Sequence, residues 1–185
     1  MPKITSGQVM PDFHFSTNLH SDNLLSDVVK KADNTILWVL RYIGCPTCRY
    51  DVHCIAKNYT RFQEKNTQVY VVMQSSRESV QSALRQTPIP FEIICDETQS
   101  IYQSFSIEAT QTKEERLPKT EEGKRLLEEK RTRVKKEGFV HGSYEGNEQQ
   151  LPAWFIINKN RCVLYAHYAK DMIDMPDVNQ ALALL

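Results

Sequence analysis

The residues with the most chemistry in this 185-residue chain are Cys45-Pro46-Thr47-Cys48. They follow an apolar, β-branched run at residues 35–41 and precede a stretch of helical periodicity. Cys45 is therefore expected at the N-cap or first turn of a helix, where free backbone N–H groups and the macrodipole favour an anion. Pro46 suits the first helical position, where its missing N–H is not needed. A thiolate in that setting has its pKa drawn from about 8.5 towards about 7 or below. Cys48 lies three residues on, on the same helix face, close enough to close a disulfide with Cys45. An exposed, low-pKa thiolate beside a second thiol is a layout for reversible thiol chemistry. Two plainer readings stand beside it. Half a zinc site would need a second pair, but Cys54, Cys95 and Cys162 are scattered singly, with no His-x3–5-His to complete the set. The other reading is simple burial, which is the expectation for Cys54, Cys95 and Cys162.

Around the motif, Arg41 and Arg49 could stabilise a thiolate or face solvent. Alternation along the strand puts Trp38 and Tyr42 on one face, with Trp38 in the core and Tyr42 nearest the cysteines. His53 reads as a surface or satisfied side chain. His141 and Tyr144 lie on a glycine-containing loop that could act as a lid.

Elements must position these groups. A short extended piece is expected at Met10–Phe15 and a short helix or turn at 22–29. Residues 35–41 show no polar alternation, as in a strand covered on both faces. A helix over 49–64, a strand over 69–73, a helix over 77–86 capped by Ser75 or Ser76, a strand over 91–95 and a short helix over 100–105 follow. From 113 to 137, ten basic and seven acidic residues among 25 predict a solvated helix or helical hairpin, broken near Pro118, with Gly123 a second candidate break. A polar loop leads to strands at 153–158 and 162–168 and a final helix from 175, with Asp174-Met175-Pro176 as its start. This order predicts an α/β sandwich around a mixed sheet, with no internal repeats.

Twenty-three basic residues balance 23 acidic ones, and 41% of the chain is apolar. Such a chain is globular and lacks the cationic surplus of nucleic-acid or anionic-membrane binders. No apolar run approaches the roughly 18 residues needed to span a bilayer. Residues 1–7 lack the pattern of a signal peptide, so the expected compartment is the cytoplasm, where five cysteines are not a disulfide framework.

The strand–CxxC–helix start and the later Leu151-Pro152-Ala153-Trp154-Phe155 resemble the thioredoxin fold. That resemblance implies a three-layer arrangement with a mixed central sheet, and a cis-proline at Pro152 beside the redox cysteine. More closely, Gly7 with Pro11-Asp12-Phe13, Cys45-Pro46-Thr47, Val69-Tyr70-Val71-Val72-Met73 and Ile94-Cys95-Asp96 are similar to peroxiredoxins of the AhpC/TSA type. The likeness spans most of residues 1–185 as one domain, with a charged helical insertion at about 107–145. It implies a peroxidatic Cys45, with Cys48 resolving and Pro46, Thr47, Pro152, Tyr42, Arg41 and Arg49 in support. Three departures stand out. Tyr42 and Trp38 occupy the places of the family's Thr or Ser and its Pro, Cys48 stands where an acidic residue is usual, and the family's later partner arginine has no assigned match. The expected function is reduction of hydroperoxides through a Cys45–Cys48 cycle, with an external thiol reductant such as a thioredoxin-type protein, no metal or cofactor, and a homodimer among the allowed assemblies. Disulfide exchange on a protein or small disulfide is one alternative. A non-catalytic interaction domain working through the insertion is the other.

Overall fold

The computed structural model describes residues 2–85 and 87–185; Gln86, at the end of one expected helix, lies outside them. The entry segment forms a small hairpin, β1 (His14–Phe15) with β2 (Asn23–Leu24), followed by the one-turn α1 (Leu25–Val28). The first core strand is β3 (Asn34–Val39), and its apolar run is buried because both faces of the sheet are covered. β4 (Thr67–Met73) pairs parallel with β3, and β5 (Glu92–Cys95) parallel with β4. β6 (Ala153–Asn158) runs antiparallel on the other side of β3, and β7 (Val163–Tyr168) antiparallel on β6. The mixed sheet has the order β5-β4-β3-β6-β7.

Alternation along β3 divides the core in two. Ile36 and Trp38, continued by Leu40 and Tyr42, face the side covered by α2 (Pro46–Lys57). Leu37 and Val39 face Phe15, Leu25, Tyr102 and Phe105 on the side of the entry segment and α5 (Ser100–Ser104). Trp38 and Trp154 are register partners, with ring centroids 5.8 Å apart.

Local chemistry moved several boundaries. The helix expected over 49–64 is two, α2 and α3 (Tyr59–Gln63), because the Asn58 amide donates to the Cys54 carbonyl at 2.9 Å and leaves the helical path. Ser76 caps α4 (Arg77–Leu84) by accepting from Ser79 N–H at 3.1 Å. The last helix, α8 (Val178–Ala183), starts later than Pro176: Asp177 and Gln180 exchange a capping box, each bond 2.8 Å. The β6–β7 turn manages without glycine. Asn158 Oδ1 accepts from the N–H groups of Asn160 at 2.9 Å and Cys162 at 3.0 Å, and Arg161 takes the left-handed conformation.

The charged segment forms α6 (Lys113–Arg116) and α7 (Glu121–Lys136), separated at Leu117–Thr120. Gly123 does not break α7. A Cβ there would lie 2.6 Å from the Pro118 Cβ, so the glycine lets the connection pack on the helix. Leu127 and Val134 are buried along its inner face. No helix among the described residues is long and apolar enough to cross a membrane.

Candidate active site

The end of β3 is held tightly before it reaches the cysteines. Leu40 N–H donates to the Val72 carbonyl at 2.9 Å, Gln74 N–H to the Arg41 carbonyl at 2.7 Å, and Ile43 N–H to Ser75 Oγ at 2.9 Å. The buried Tyr102 hydroxyl donates to the Leu40 carbonyl at 2.5 Å. The chain then turns through Gly44 and sets Cys45 at the N-cap of α2, with Pro46 at the first helical position.

Cys45 is completely buried, and its sulfur is surrounded by donors. Arg41 Nη2 donates to Sγ at 2.9 Å, Thr47 Oγ1 lies 3.1 Å away, and the Cys48 N–H donates at 3.3 Å. The Cys48 thiol donates as well, and this is the largest influence drawing the Cys45 pKa well below the ordinary thiol range; burial opposes it, while the Arg41 charge and the Thr47 hydroxyl reinforce it. Cys48 moves the other way, held protonated by donating to Cys45 and by burial. The pair is thus polarised into an anionic Cys45 and a protonated Cys48 before any substrate arrives. Burial works against the Arg41 charge, but the two cysteines outweigh it.

Thr47 places a hydroxyl against the sulfur, whereas Tyr42 makes its hydroxyl contact elsewhere. Tyr42 is buried, and its hydroxyl lies 3.2 Å from His141 Nε2; burial raises its pKa and keeps it a neutral phenol. The His141 ring stacks on Tyr144 with centroids 4.2 Å apart. The loop carrying these two residues, 138–150, reaches the motif: Gly142 N–H donates to the Gly44 carbonyl at 2.8 Å. Gly44 admits no side chain, since a Cβ would lie 2.0 Å from the Ser143 carbonyl oxygen. Arg41 Nη1 ties the same loop down by donating to the Glu148 carbonyl at 2.9 Å.

Several sequence expectations need correction. The Leu151–Pro152 peptide bond is trans, as all are among the described residues. Leu151 N–H bonds the Glu108 carbonyl and the Pro152 carbonyl accepts from Ala169 N–H, each at 3.1 Å, so the segment runs extended with the ordinary X–Pro isomer. Pro152 still borders the cysteines, lining a small cavity with Thr47 and Cys48. Arg49 is not among the donors on the Cys45 sulfur. Its backbone N–H bonds the Cys45 carbonyl, and its guanidinium turns to the Phe139 ring, 5.3 Å from the centroid. The pair is buried rather than exposed, and Cys54, Cys95 and Cys162 are only partly buried, Cys95 packing against the edge of the core. His53 faces Phe139 and lies 3.5 Å from Glu137.

Two charged groups were invisible to the sequence reading. Arg116, only 6% exposed, donates to Gln149 Oε1 at 3.3 Å and lies 3.8 Å from Met172 Sδ. It interacts electrostatically with Arg41, Cys45 and Cys48, placing a second cation by the thiolate. Lys130 pairs inward with Asp51 at 2.7 Å, joining α7 to α2. Both lie in a run where most residues are charged, and no local pattern separates an inward cation from a solvated one.

Residues 6–166 match the model of the AhpC/TSA family. No match was found among curated proteins. Solved structures give the same architecture. Peroxidoxin BcpB from Mycobacterium tuberculosis superposes with a TM-score of 0.68 at 12% identity, covering 98% of this chain and 96% of that one. A mutant of peroxiredoxin 6 from Arenicola marina gives 0.70 at 12% identity, over 97% of this chain and 70% of that one. The reduced 2-Cys peroxiredoxin of Plasmodium vivax gives 0.66 at 14% identity, over 97% and 79%. At these identities the structural likeness speaks for the fold.

Proposed function

The chain belongs to the AhpC/TSA family, and on that premise we propose that it reduces hydroperoxides through a Cys45–Cys48 thiol cycle. The observation that carries the reading is the donor set on one buried sulfur: Arg41, Thr47 and the Cys48 backbone within 3.3 Å. Such a set stabilises a thiolate, the reactive form of cysteine. The Cys45 thiolate attacks one peroxide oxygen, the O–O bond breaks, and the departing oxygen leaves as water or alcohol after taking a proton. Cys45 becomes a sulfenic acid. Cys48 condenses with it to a disulfide and releases water. An external thiol reductant, such as a thioredoxin-type protein, returns both cysteines to thiols. The residues that support Cys45 are Arg41, Thr47, Pro46 at the helix start, Pro152 on the cavity wall and Arg116.

Complete burial of Cys45 favours a small hydroperoxide over a protein disulfide, whose backbone could not approach beneath the loop. Entry then requires residues 138–150 to lift from Gly44. The insertion at about 107–145 belongs to the same unit in this reading, since Arg116 and Lys130 both turn inward towards the cysteines. A reducing compartment such as the cytoplasm suits a cycle that begins from two thiols.

The test is peroxide consumption by the reduced protein with a thiol reductant, with mass spectrometry after one equivalent of hydrogen peroxide. A Cys45–Cys48 disulfide, and loss of consumption in Cys45→Ser, are expected. Undiminished consumption by Cys45→Ser would refute the mechanism.

A further inference from the structure

The cycle leaves one step without a partner: something must take the proton from Cys48. Its thiol is buried, and it must become a thiolate to attack. Asp51 stands three residues further along α2, one turn away on the same face. Asp51 and Cys48 line the same small cavity, about 20 Å³, bordered also by Thr47, Arg41, Pro152 and Met172. That space suits one water molecule, enough to relay a proton. Asp51 is the carboxylate residue on its walls among the described residues.

On its other side, Asp51 is gripped by the charged insertion. Lys130 Nζ, from α7, lies 2.7 Å from Oδ1 and 2.8 Å from Oδ2. An ion pair partly withdrawn from water between two helices, its side chains 20% and 25% exposed, adds little net stability, because desolvation offsets the attraction. Stability alone is therefore a weak reason for this one to be here.

We propose that Asp51 is the proton acceptor for Cys48 in the resolving step, and that Lys130 is the positioning residue that holds its carboxylate towards the cysteines. This rests on the peroxidase cycle proposed above. The Cys48 thiol gives its proton through one water to the Asp51 carboxylate. The Cys48 sulfur then attacks the sulfenic sulfur of Cys45, the S–S bond forms and the S–O bond breaks. The departing hydroxide takes the proton back from Asp51 and leaves as water. Cys48 is oxidised, the Cys45 sulfur is reduced, and the carboxylate is restored.

Burial raises the Asp51 pKa and the Lys130 charge opposes the rise, so the carboxylate is a stronger base than one in water yet remains available. The groups that bear on its titration are Lys130 on α7, Arg41 at the end of β3, and Cys45, Cys48 and Cys54 on its own helix. Tyr50, Glu129, Arg133 and Asp177 line the larger cavity on its far side.

The experiment is a rapid-quench time course after one equivalent of hydrogen peroxide. It scores Cys45 sulfenic acid by dimedone and the Cys45–Cys48 disulfide by mass. In Asp51→Asn the disulfide step is expected to slow by about 100-fold, the scale of general-base catalysis, and sulfenic acid accumulates. Asp51→Asn leaves Lys130 unpaired, so Asp51→Asn/Lys130→Met is run alongside to keep the helix contact neutral; it should show the same slow step. Lys130→Met alone should move the acid limb of the disulfide step to higher pH, because the carboxylate loses the charge that favours its ionised form. A purely structural pair would not shift that limb. A disulfide step unchanged in the folded double variant, or an unmoved limb in Lys130→Met, overturns the proposal. A parent protein that forms sulfenic acid but no Cys45–Cys48 disulfide overturns the cycle itself, and the role of Asp51 with it.

Discussion

Replacing Arg41 by methionine tests what makes Cys45 an anion. Arg41 Nη2 donates to the sulfur at 2.9 Å, and the acceptor is fully buried. A hydrogen bond to a charged group contributes about 1.5–3 kcal/mol. At about 1.4 kcal/mol per pKa unit, its loss should raise the Cys45 pKa by about 1–2 units. The lower end is the better expectation, because Thr47, the Cys48 N–H and the Arg116 charge all remain. The measurement is thiolate ultraviolet absorbance against pH in a Cys48→Ser background, with Cys45→Ser/Cys48→Ser subtracted to remove the other titrating groups. The sign is settled by the chemistry: the protonated thiol is unreactive, so peroxide reduction falls as pH drops through the Cys45 pKa. In Arg41→Met that acid limb moves up in pH by the same amount as the absorbance midpoint. Arg41→Lys keeps the charge but not the fork that also holds the Glu148 carbonyl, and should fall between the two. A folded Arg41→Met protein with an unmoved midpoint would refute the reasoning and leave the cause with Cys48, Thr47, Arg116 and the helix terminus.

Cys48→Ser should reduce one equivalent of peroxide and then stall, with a dimedone adduct on Cys45 and no intramolecular disulfide by mass; sustained turnover would remove Cys48 from the cycle. Gly44→Ala forces a Cβ to within 2.0 Å of the Ser143 carbonyl oxygen, so residues 138–150 must give way. The thermal midpoint should fall, by about 1–3 kcal/mol of stability, while iodoacetamide reaches Cys45 faster than in the parent. Tyr102→Phe leaves the buried Leu40 carbonyl without its 2.5 Å donor and should cost about 1–3 kcal/mol in urea denaturation, with the peroxide rate constant changing little in the fraction that remains folded.

The strand–motif–helix core was legible because its signals are local. The run at 35–41 reads as a covered strand, Pro46 suits the first position of a helix, and Cys45 then falls at its N-cap or first turn; the structure has a strand at Asn34–Val39, Pro46 at the helix start and Cys45 as N-cap. The same locality explains the boundaries that shifted. Asn58 ends α2 with a side-chain bond to a carbonyl four residues back, and the Asp177–Gln180 box starts α8 more firmly than the proline before it. Those residues were in view, but the competition between them is settled by geometry.

The amino-acid order by itself determined that a thiol would sit at a helix N-terminus with a second thiol one turn on, since four adjacent residues and a strand suffice. Only the tertiary structure decided which charges serve that pair. Arg41 and Arg49 each lie four residues from Cys45 in sequence, yet one points at the sulfur and the other stacks on Phe139. Arg116 and Lys130 arrive from a segment whose composition reads as solvated surface. The loop at 138–150 turns an expected exposed thiolate into a covered one. Each of these outcomes depends on where distant segments pack and which way a long side chain turns there. Neither residue type nor spacing carries that information, because the same arginine or lysine is equally at home in water until a partner surface closes over it.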